Sequence, residues 1–257
     1  MNPGEKITPE AIRSRKGGRT LAALTVHDYP STRLLDEAGV PLLLVGDSLG
    51  MVSLGYPDTT PVTLAEMEHH VRAAARAKPR ALLVADLPYR TYETPETAVA
   101  SARRLIAAGA EAVKAEGGRA ILPQVAAIRA AGIPFLGHIG MLPQHVREEG
   151  GYRIKGRNEA EHEALRADAL ALAGAGAFAV VLELVTPPVA AELTALLPVP
   201  TIGIGSGPDC DGQILVTHDL LGAFPWFVPK FVRPRLDLAD QSRAAVQAWL
   251  REIGAGG

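Results

Sequence analysis

Polar and charged residues stand at the ends of several apolar runs in this 257-residue sequence. They are Asp47, Ser48, Asp86, Lys114, Glu116, His138, Glu183 and Ser206. Asp47, Asp86 and Glu116 are oxygen donors with no cluster of cysteine or histidine nearby, which is the ligand type that Mg²⁺ prefers. Lys114 lies two positions before Glu116, so both side chains would point to the same face of a strand. The pattern predicts metal-assisted chemistry in which Lys114 adds a second positive charge.

Two of these residues indicate proton transfer. Glu183 ends an apolar run, and partial desolvation there would raise its pKa towards neutrality, as a general acid or base requires. His138 could orient a substrate or share the proton path, although a histidine at the end of a strand is also a common hydrogen-bonding residue. Each of these polar residues, taken singly, could have a structural role only, because an α/β barrel needs polar residues at its strand ends in any case.

Several other chemistries are disfavoured. The sequence contains no HExxH, no CxxC and no P-loop lysine, which argues against zinc hydrolysis and nucleoside-triphosphate chemistry. Its one cysteine, Cys210, lies in a Gly/Pro/Asp loop without an adjacent histidine, so a cysteine nucleophile is poorly supported. Segment 203–207 (GIGSG) fails the dinucleotide fingerprint because proline replaces the last glycine, and it is instead interpreted as a tight turn near a ligand. His69 and His70 follow Glu66 at helical spacing and predict a solvated helix face rather than a metal site.

Short apolar runs alternate with alanine-rich helical stretches, which predicts parallel strands covered by helices on the outside. The predicted strands are Leu21–Val26, Pro41–Gly46, Ala81–Ala85, Ala112–Glu116, Pro134–His138, Phe178–Glu183, Pro200–Ile204 and Ile214–His218. The predicted helices between them are Ser31–Ala38, Leu64–Ala77, Pro95–Ala108, Ala120–Ala131, Glu159–Ala173 and Pro188–Leu196. Left-handed helix ends are predicted at Gly39, Gly109, Gly132 and Gly174. Eight strands favour a closed barrel, in which the polar residues at the strand ends converge on one pocket.

The connection between the seventh and eighth strands does not fit this scheme well. About nine residues separate Ile204 from Ile214, whereas a parallel crossover usually takes a dozen or more. Either this unit has lost its helix or the eighth strand is misplaced. A short N-terminal helix (Pro9–Lys16) and an amphipathic C-terminal helix (Leu238–Ile253) flank the barrel, and we expect residues 1–257 to form a single domain.

The composition excludes several functional classes. Lys and Arg number 26 and Asp and Glu 28, so the net charge of −2 offers no broad attraction to nucleic acid or to an anionic membrane. Aromatic residues make up 5%, too few for a base-stacking surface, and 47% hydrophobic residues exclude disorder. The longest apolar stretch, Ala169–Leu182, is too short to span a bilayer, and no signal peptide is recognisable. With a single cysteine, we expect a cytoplasmic protein.

Six segments, in order, resemble the ketopantoate hydroxymethyltransferase (3-methyl-2-oxobutanoate hydroxymethyltransferase) family. They are VGDSLGM (45–51), ADLPY (85–89), VKAEGG (113–118), GHIGMLPQ (137–144), LE (182–183) and IGIGSG (202–207). The resemblance implies an α/β fold, a (β/α)8 TIM barrel of the phosphoenolpyruvate/pyruvate type. It also implies Mg²⁺ and a homodecamer built as a pentamer of dimers. The apolar segment 226–232 (WFVPKFV) is either core or subunit interface.

The implied reaction transfers a hydroxymethyl group from 5,10-methylenetetrahydrofolate to 3-methyl-2-oxobutanoate (α-ketoisovalerate). The product is ketopantoate, formed through a Mg²⁺-stabilised enolate in pantothenate and coenzyme A biosynthesis. By the resemblance, Asp47, Asp86 and Glu116 would hold the metal, Glu116 directly or through water. The keto acid would be contacted by Asp47, Ser48, Asp86 and Lys114, and we add Ser206 to this substrate-binding set. Glu183 would be the catalytic acid/base, assisted by Lys114 and His138.

Four positions depart from the family's pattern. His27 replaces a tyrosine, Ala115 a larger apolar residue, Leu184 a cysteine and Ser206 an alanine. None of these changes removes a charged catalytic group. They therefore put the shape of the pocket in doubt rather than the activity.

Two other functions stay open. A Mg²⁺-dependent C–C or P–C lyase acting on a 2-oxo acid would use the same barrel, but such enzymes usually carry a catalytic cysteine in a mobile loop, which Cys210 does not match. A non-catalytic binding module would not need convergent carboxylates and a lysine. The basic segment 140–157, with Arg147, Arg153 and Lys155, is either a lid that meets the acidic tail of folate or a solvated or subunit-contact loop.

Overall fold

A computed structural model describes residues 5–255 of the chain. Eight parallel strands form a closed barrel in the order in which they occur in the sequence. They are β1 (Leu21–Thr25), β2 (Leu42–Val45), β3 (Leu82–Asp86), β4 (Ala112–Glu116), β5 (Phe135–Gly140), β6 (Ala179–Glu183), β7 (Thr201–Ile204) and β8 (Gly212–Leu215). This arrangement confirms the expected barrel fold.

Each of the first six crossovers contains an α-helix, as the alternating pattern predicted. The helices are α1 (Pro9–Arg13), α2 (Tyr29–Glu37), α3 (Leu49–Val52), α4 (Leu64–Ala75), α5 (Pro95–Ala108), α6 (Leu122–Ala130), α7 (Glu159–Gly174), α8 (Pro187–Leu196), α9 (Thr217–Leu220) and α10 (Leu238–Glu252). Short 3₁₀ turns cover Arg119–Ile121 and Pro143–His145. Thr63 and Thr94 begin α4 and α5 with capping boxes, in which each side chain accepts a hydrogen bond from the backbone three residues on. Apart from the eighth strand, the predicted boundaries are off by three residues or fewer.

Side chains along each strand alternate between the inside of the barrel and the layer under the helices. On β3, Leu82 and Val84 belong to the smaller buried cluster, which is built mainly from strand residues. Leu83 and Ala85 belong to the larger cluster, which also contains the buried residues of the helices. Ile12 of α1 is fully buried in the smaller cluster, so the N-terminal helix contributes to the inner core. Two concentric apolar layers therefore fix which residues of a strand face inward.

The eighth strand lies earlier in the chain than predicted. It covers Gly212–Leu215 rather than Ile214–His218, and His218 lies in α9. No helix lies in the connection of residues 205–211, so the suspected loss of the helix in this unit is also correct. A Cβ at Gly212 would lie 2.4 Å from the carbonyl oxygen of Leu21, so a glycine is needed for the close approach to β1. A hydrophobic pattern does not register such a glycine, which is why the prediction began two residues late.

One predicted helix end was also wrong. Gly174 is still helical, and the residue that leaves α7 with a positive φ is Gly176, at +90°. The other three glycines, Gly39, Gly109 and Gly132, have φ values of +85°, +116° and +77°, which confirms the left-handed ends predicted there.

The contacts within the chain divide it into two compact units. The first ends at Ile214 and contains the strands up to that residue together with their crossover helices. The second begins at Leu215 and contains α9 and α10, joined by backbone hydrogen bonds such as that from Leu238 N–H to the Leu221 carbonyl (3.0 Å). The expectation of a single domain over residues 1–257 stays a prediction. No helix in residues 5–255 is long and apolar enough to cross a membrane.

Candidate active site

The inward-facing positions at the carboxyl ends of β3 to β6 are polar. They are Asp86, Lys114, Glu116, His138 and Glu183. In each strand they continue the alternation set by inner core residues such as Val84 and Ala112. All except Glu183, which is partly exposed, are 5% exposed or less. The barrel thus carries a layer of ionisable groups above its apolar interior.

Strand register brings these groups into contact. Asp86 is paired with Lys114 across β3 and β4, and Glu116 with His138 across β4 and β5. Lys114 Nζ lies 2.8 Å from Asp86 Oδ1 and 3.2 Å from His138 Nδ1. His138 Nε2 lies 3.3 Å from Glu183 Oε2, and its Nδ1 lies 3.7 Å from Glu116 Oε1. The structure therefore assembles the three residues predicted to be catalytic, together with two of the predicted metal ligands.

Asp47 joins this cluster from the segment after β2. It is 4% exposed, and its backbone N–H donates to Asp86 Oδ2 at 3.1 Å. Ser48 follows it at the start of α3 and is partly buried. Both residues lie at the carboxyl end of the barrel, as predicted.

Gln144 is a site residue that the pattern of polar strand ends did not predict. Its side-chain N–H groups donate to Asp47 Oδ2 (2.7 Å) and to the Leu87 carbonyl (2.9 Å). Its backbone N–H donates to Glu116 Oε2 at 3.0 Å, and its amide oxygen accepts from the Tyr92 hydroxyl at 2.6 Å. Gln144 is 1% exposed, so this one residue holds an oxygen of each of two buried carboxylates. The signal that could have found it is its place at the end of segment 137–144, directly after Pro143, which begins a 3₁₀ turn.

Burial shifts the pKa values of Asp47, Glu116 and Glu183 upward, and repulsion between carboxylates adds to it for Asp47 and Glu116. Burial, followed by the charge of Asp86, raises the pKa of Asp47 to about 7. Burial and the charge of Asp47 raise the pKa of Glu116 well above its usual value. Burial also raises the pKa of Glu183 to about 7, with Lys114 acting in the opposite direction. The raised pKa expected for Glu183 is therefore present in the structure, and its cause is desolvation.

The two basic groups respond in opposite ways. Burial disfavours the charged form of Lys114, but Asp86, Glu116 and Asp47 outweigh it and raise the pKa of the ammonium group above its usual value. Burial and the neighbouring Lys114 lower the pKa of His138 well below its usual value. Lys114 is therefore charged and His138 neutral near pH 7.

The charges of these side chains favour the binding of a divalent cation. Four carboxyl groups share the layer with one ammonium group and a neutral imidazole, so anionic forms lack compensation, and burying uncompensated charge is costly. Within residues 5–255, however, no three His, Cys, Asp or Glu side chains are arranged to hold a metal ion by themselves. Mg²⁺ is commonly held by one or two carboxylates while water and substrate fill its other positions. The site therefore fits Mg²⁺ better than a metal ion that protein side chains surround on all sides.

Ser206 makes contacts of a different kind from those expected. Its hydroxyl donates to the Leu182 carbonyl (2.7 Å) and accepts from Val185 N–H (3.0 Å), and the residue is 1% exposed. It thus holds the chain on both sides of Glu183. Leu184, which lies between Glu183 and Val185, has a φ of +48°, an unusual conformation for leucine. A place for Ser206 in the substrate-binding set stays a prediction.

The other departures from the family pattern lie around the site rather than in it. Ala115 is buried in the outer apolar layer, so its small size affects packing under the helices and not the pocket. His27 is partly buried, its carbonyl lies 2.7 Å from His70 Nδ1, and burial lowers the pKa of its imidazole. Cys210 is buried and its pKa is raised by burial, which disfavours the reactive thiolate.

In the basic segment 140–157, two of the cations are already paired. Arg147 Nε lies 2.8 Å from Asp58 Oδ2, and Lys155 forms an ion pair with Glu149. Gly140, at its start, has a φ of +100°, and a Cβ there would lie 2.2 Å from the carbonyl oxygen of Glu183. A glycine is therefore required where the chain turns sharply beside Glu183. A lid function for this segment stays a prediction.

Solved structures share the fold at low sequence identity. The chain is similar to a putative phosphonomutase from Burkholderia cenocepacia (TM-score 0.68, 21% identity, 85% of this chain and 96% of that one). It is also similar to phosphonopyruvate hydrolase in complex with oxalate and Mg²⁺ (TM-score 0.66, 17% identity, 96% of this chain and 87% of that one). These similarities confirm the barrel type and carry no further argument about activity.

Sequence comparisons are more specific. Two similar proteins are named 3-methyl-2-oxobutanoate hydroxymethyltransferase. One, from Moorella thermoacetica, is 51% identical over 250 residues, covering 96% of this chain and 93% of the relative. The other, from Caldivirga maquilingensis, is 51% identical over 249 residues, covering 96% and 94%. The model of the family described as ketopantoate hydroxymethyltransferase matches residues 6–257. The chain therefore belongs to the ketopantoate hydroxymethyltransferase family.

Proposed function

We propose that this chain transfers the one-carbon unit of 5,10-methylenetetrahydrofolate to C3 of 3-methyl-2-oxobutanoate. Water supplies the hydroxyl oxygen, so the products are ketopantoate and tetrahydrofolate, within pantothenate and coenzyme A biosynthesis. The observation that carries the proposal is the buried layer in which Glu183 and neutral His138 lie beside the Lys114 ammonium group. The name shared by relatives of about 50% identity supports it.

The difficult step is removal of the proton from C3, next to the ketone. A carboxylate with a pKa of about 7 is a stronger base than an ordinary glutamate and is still ionised in part at neutral pH. Glu183 would take this proton, and His138, 3.3 Å away, would orient its carboxyl group. The Lys114 ammonium group would stabilise the negative charge that develops on the keto acid.

Mg²⁺ would be held by Asp47 and Asp86, with Glu116 directly or through water. Bound there, it would supply positive charge to the ketone and carboxylate oxygens of the keto acid as the enolate forms. Gln144 occupies one oxygen of Asp47 and one of Glu116, which leaves the other oxygen of each carboxyl group for the ion or its water. Ser48 would contact the keto acid beside Asp47.

We also propose that the protein is cytoplasmic and assembles into a homodecamer of five dimers. The exposed apolar residues of the second unit support assembly, because Trp226 is 78% exposed and Trp249 57% exposed in the single chain. The single cysteine, which cannot form an intrachain disulfide, agrees with a reducing compartment.

The proposal is tested by incubating the protein with 3-methyl-2-oxobutanoate in D₂O and following exchange at C3 by NMR, with and without Mg²⁺. We expect metal-dependent exchange that increases when tetrahydrofolate is present. Absence of exchange would instead favour a binding module, and cleavage of the keto acid would favour a lyase.

Replacing the proposed base makes the test residue-specific. Glu183→Gln removes the group that accepts the proton while keeping its size, so exchange and turnover should both fall about 100-fold or more. Glu163→Gln, an exposed position on α7, is the matched control and should leave both rates unchanged. Near-normal turnover in Glu183→Gln would rule out the assigned role.

A further inference from the structure

A cavity of about 370 Å³ opens beside the carboxylate cluster at the carboxyl end of the barrel. Its lining includes Tyr89, Arg90, Gln144, Arg147 and Glu148. Gln144 also binds Asp47 and Glu116, so one residue separates the cavity from the proposed metal site. The volume lies at the lower end of the range for small-molecule sites, which suits one part of a larger ligand.

Most charged groups around this cavity already form ion pairs or hydrogen bonds within the chain. Arg147 makes two contacts with Asp58, at 2.8 and 3.3 Å. Glu148 accepts a hydrogen bond from the Tyr89 hydroxyl at 2.8 Å and contacts His145 Nδ1 at 2.7 Å. These groups are therefore positioned by one another and need no ligand.

Arg90 differs from its neighbours. In the part of the chain from residue 5 to residue 255, no carboxylate lies within ion-pairing distance of its guanidinium group, although its charge is the smallest of the causes that lower the pKa of Glu148. The guanidinium group instead lies over the Tyr89 ring, 5.2 Å from the ring centroid. Its φ is +63°, a left-handed conformation shared in the described chain only by two other non-glycine residues, Lys78 and Leu184. Such a conformation is disfavoured for an arginine and is found preferentially at functional sites. Arg90 follows Asp86 by four residues, in the loop that leaves β3.

We propose that Arg90 binds a glutamate carboxylate of the reduced folate, while the adjoining cavity takes the aminobenzoyl part against Tyr89. The inference rests on the proposed function, since it concerns the co-substrate of that reaction. A guanidinium group offers a planar pair of N–H donors that matches a carboxylate, and stacking on Tyr89 limits its rotation before the ligand arrives. The shared wall at Gln144 places the one-carbon end of such a ligand towards the catalytic cluster.

The test measures the dissociation constant of tetrahydrofolate, by fluorescence or calorimetry, without turnover. Arg90→Ala should weaken binding about tenfold, the scale of one charge-assisted pair. Arg90→Gly serves as the second variant, because glycine adopts a positive φ freely and preserves the loop if alanine disturbs it. The carboxamide of tetrahydropteroate, which has neither the glutamate nor a free carboxylate, should bind wild type and both variants with constants that agree within about twofold.

The outcomes separate the two proposals. Unchanged tetrahydrofolate binding in both variants, or equal losses for tetrahydrofolate and the carboxamide of tetrahydropteroate, would overturn the role of Arg90. Arg103→Ala, an exposed arginine of α5 that does not line the cavity, is the control and should bind both ligands normally. A failure of the proposed function would appear elsewhere, as loss of wild-type C3 exchange, which needs no folate.

Discussion

At the scale of single residues, the positions of two buried carboxyl groups depend on one residue, Gln144. Gln144 fixes one oxygen of Asp47 with its side chain and one of Glu116 with its backbone, and Tyr92 fixes Gln144 in turn. The charges of Asp47 and Glu116 repel each other, since the charge of Asp47 raises the pKa of Glu116. The donors hold the two carboxyl groups in place against this repulsion. Gln144 therefore acts as a positioning residue for the proposed metal site.

We predict that Gln144→Ala weakens Mg²⁺ binding about 10- to 100-fold, the usual cost of removing a group that orients metal ligands. Gln144→Glu should be at least as harmful, since it replaces the amide donor to Asp47 with a fifth carboxyl group beside Asp47, Asp86, Glu116 and Glu183. Calorimetric titration with MgCl₂, without substrate, measures the effect.

Gln124→Ala on α6 is the control for that experiment, because the Gln124 amide donates to the Glu93 carbonyl (3.0 Å) and to none of the carboxyl groups of the cluster. Tyr92→Phe should give an intermediate loss, because it removes one donor to the Gln144 amide. Mg²⁺ affinity equal to wild type in both Gln144 variants would contradict the positioning role.

Residue types and strand parity were sufficient to predict the ionisable layer, because Lys114 and Glu116 alternate with apolar residues in one strand. They were insufficient for Gln144 and Arg90. Both lie in loops, where no period relates sequence position to direction, and an amide or arginine in a loop is ordinarily solvated. Only the closed barrel shows that these side chains lie beside the carboxyl ends of β2 to β4.

At the scale of elements, the connection between β7 and β8 replaces a helix with a polar anchor. Asp211 accepts hydrogen bonds from Thr201 N–H and Gly17 N–H, both at 2.9 Å, and pairs with Lys16 at 2.8 Å. It thereby ties β7 to the turn that precedes β1. Apolar periodicity predicted seven strands well and placed the eighth two residues too late, because β8 begins at a glycine and is held by a carboxylate.

We predict that Asp211→Asn lowers the free energy of unfolding at pH 7 by about 1–3 kcal/mol, the cost of weakening a buried charged hydrogen-bond network. Burial alone would raise the pKa of Asp211, but Lys16, Thr201 and Gly17 outweigh it, and the pKa lies below its usual value. A depressed pKa means that this stabilisation is present above the pKa of the unfolded chain and is lost as the pH falls through the folded-state pKa. Urea unfolding at pH 7 and near pH 3 should therefore show the wild type and the variant converging in acid.

Asp209→Asn, an exposed position in the same connection, is the control for charge alone and should behave as wild type at both pH values. A difference between wild type and Asp211→Asn that is the same at pH 7 and in acid would show that the carboxylate charge is not responsible.

At the scale of the whole molecule, the apolar segment 226–232 was left open as either core or interface. In the single chain Trp226 is 78% exposed, and Phe227 and Phe231 are 53% and 40% exposed, so the segment is not core. On α10 of the same unit, Val246 and Trp249 are also more than half exposed. Large apolar side chains exposed together usually mark a surface that another molecule covers, and the proposed homo-oligomer supplies one.

We predict that replacing Trp226 and Phe227 together with serine shifts the protein to smaller assemblies, because an interface loses most of its binding energy when its aromatic anchors are removed. Light scattering after size-exclusion chromatography measures the mass of wild type and variant at the same concentration. Leu34→Ser is the matched control, since Leu34 is 66% exposed on α2 but isolated from this segment in the sequence, and it should keep the wild-type mass. An unchanged mass for the double variant would show that the exposed aromatic residues do not hold the assembly together. The circular dichroism spectrum of the variant would verify that its barrel has folded.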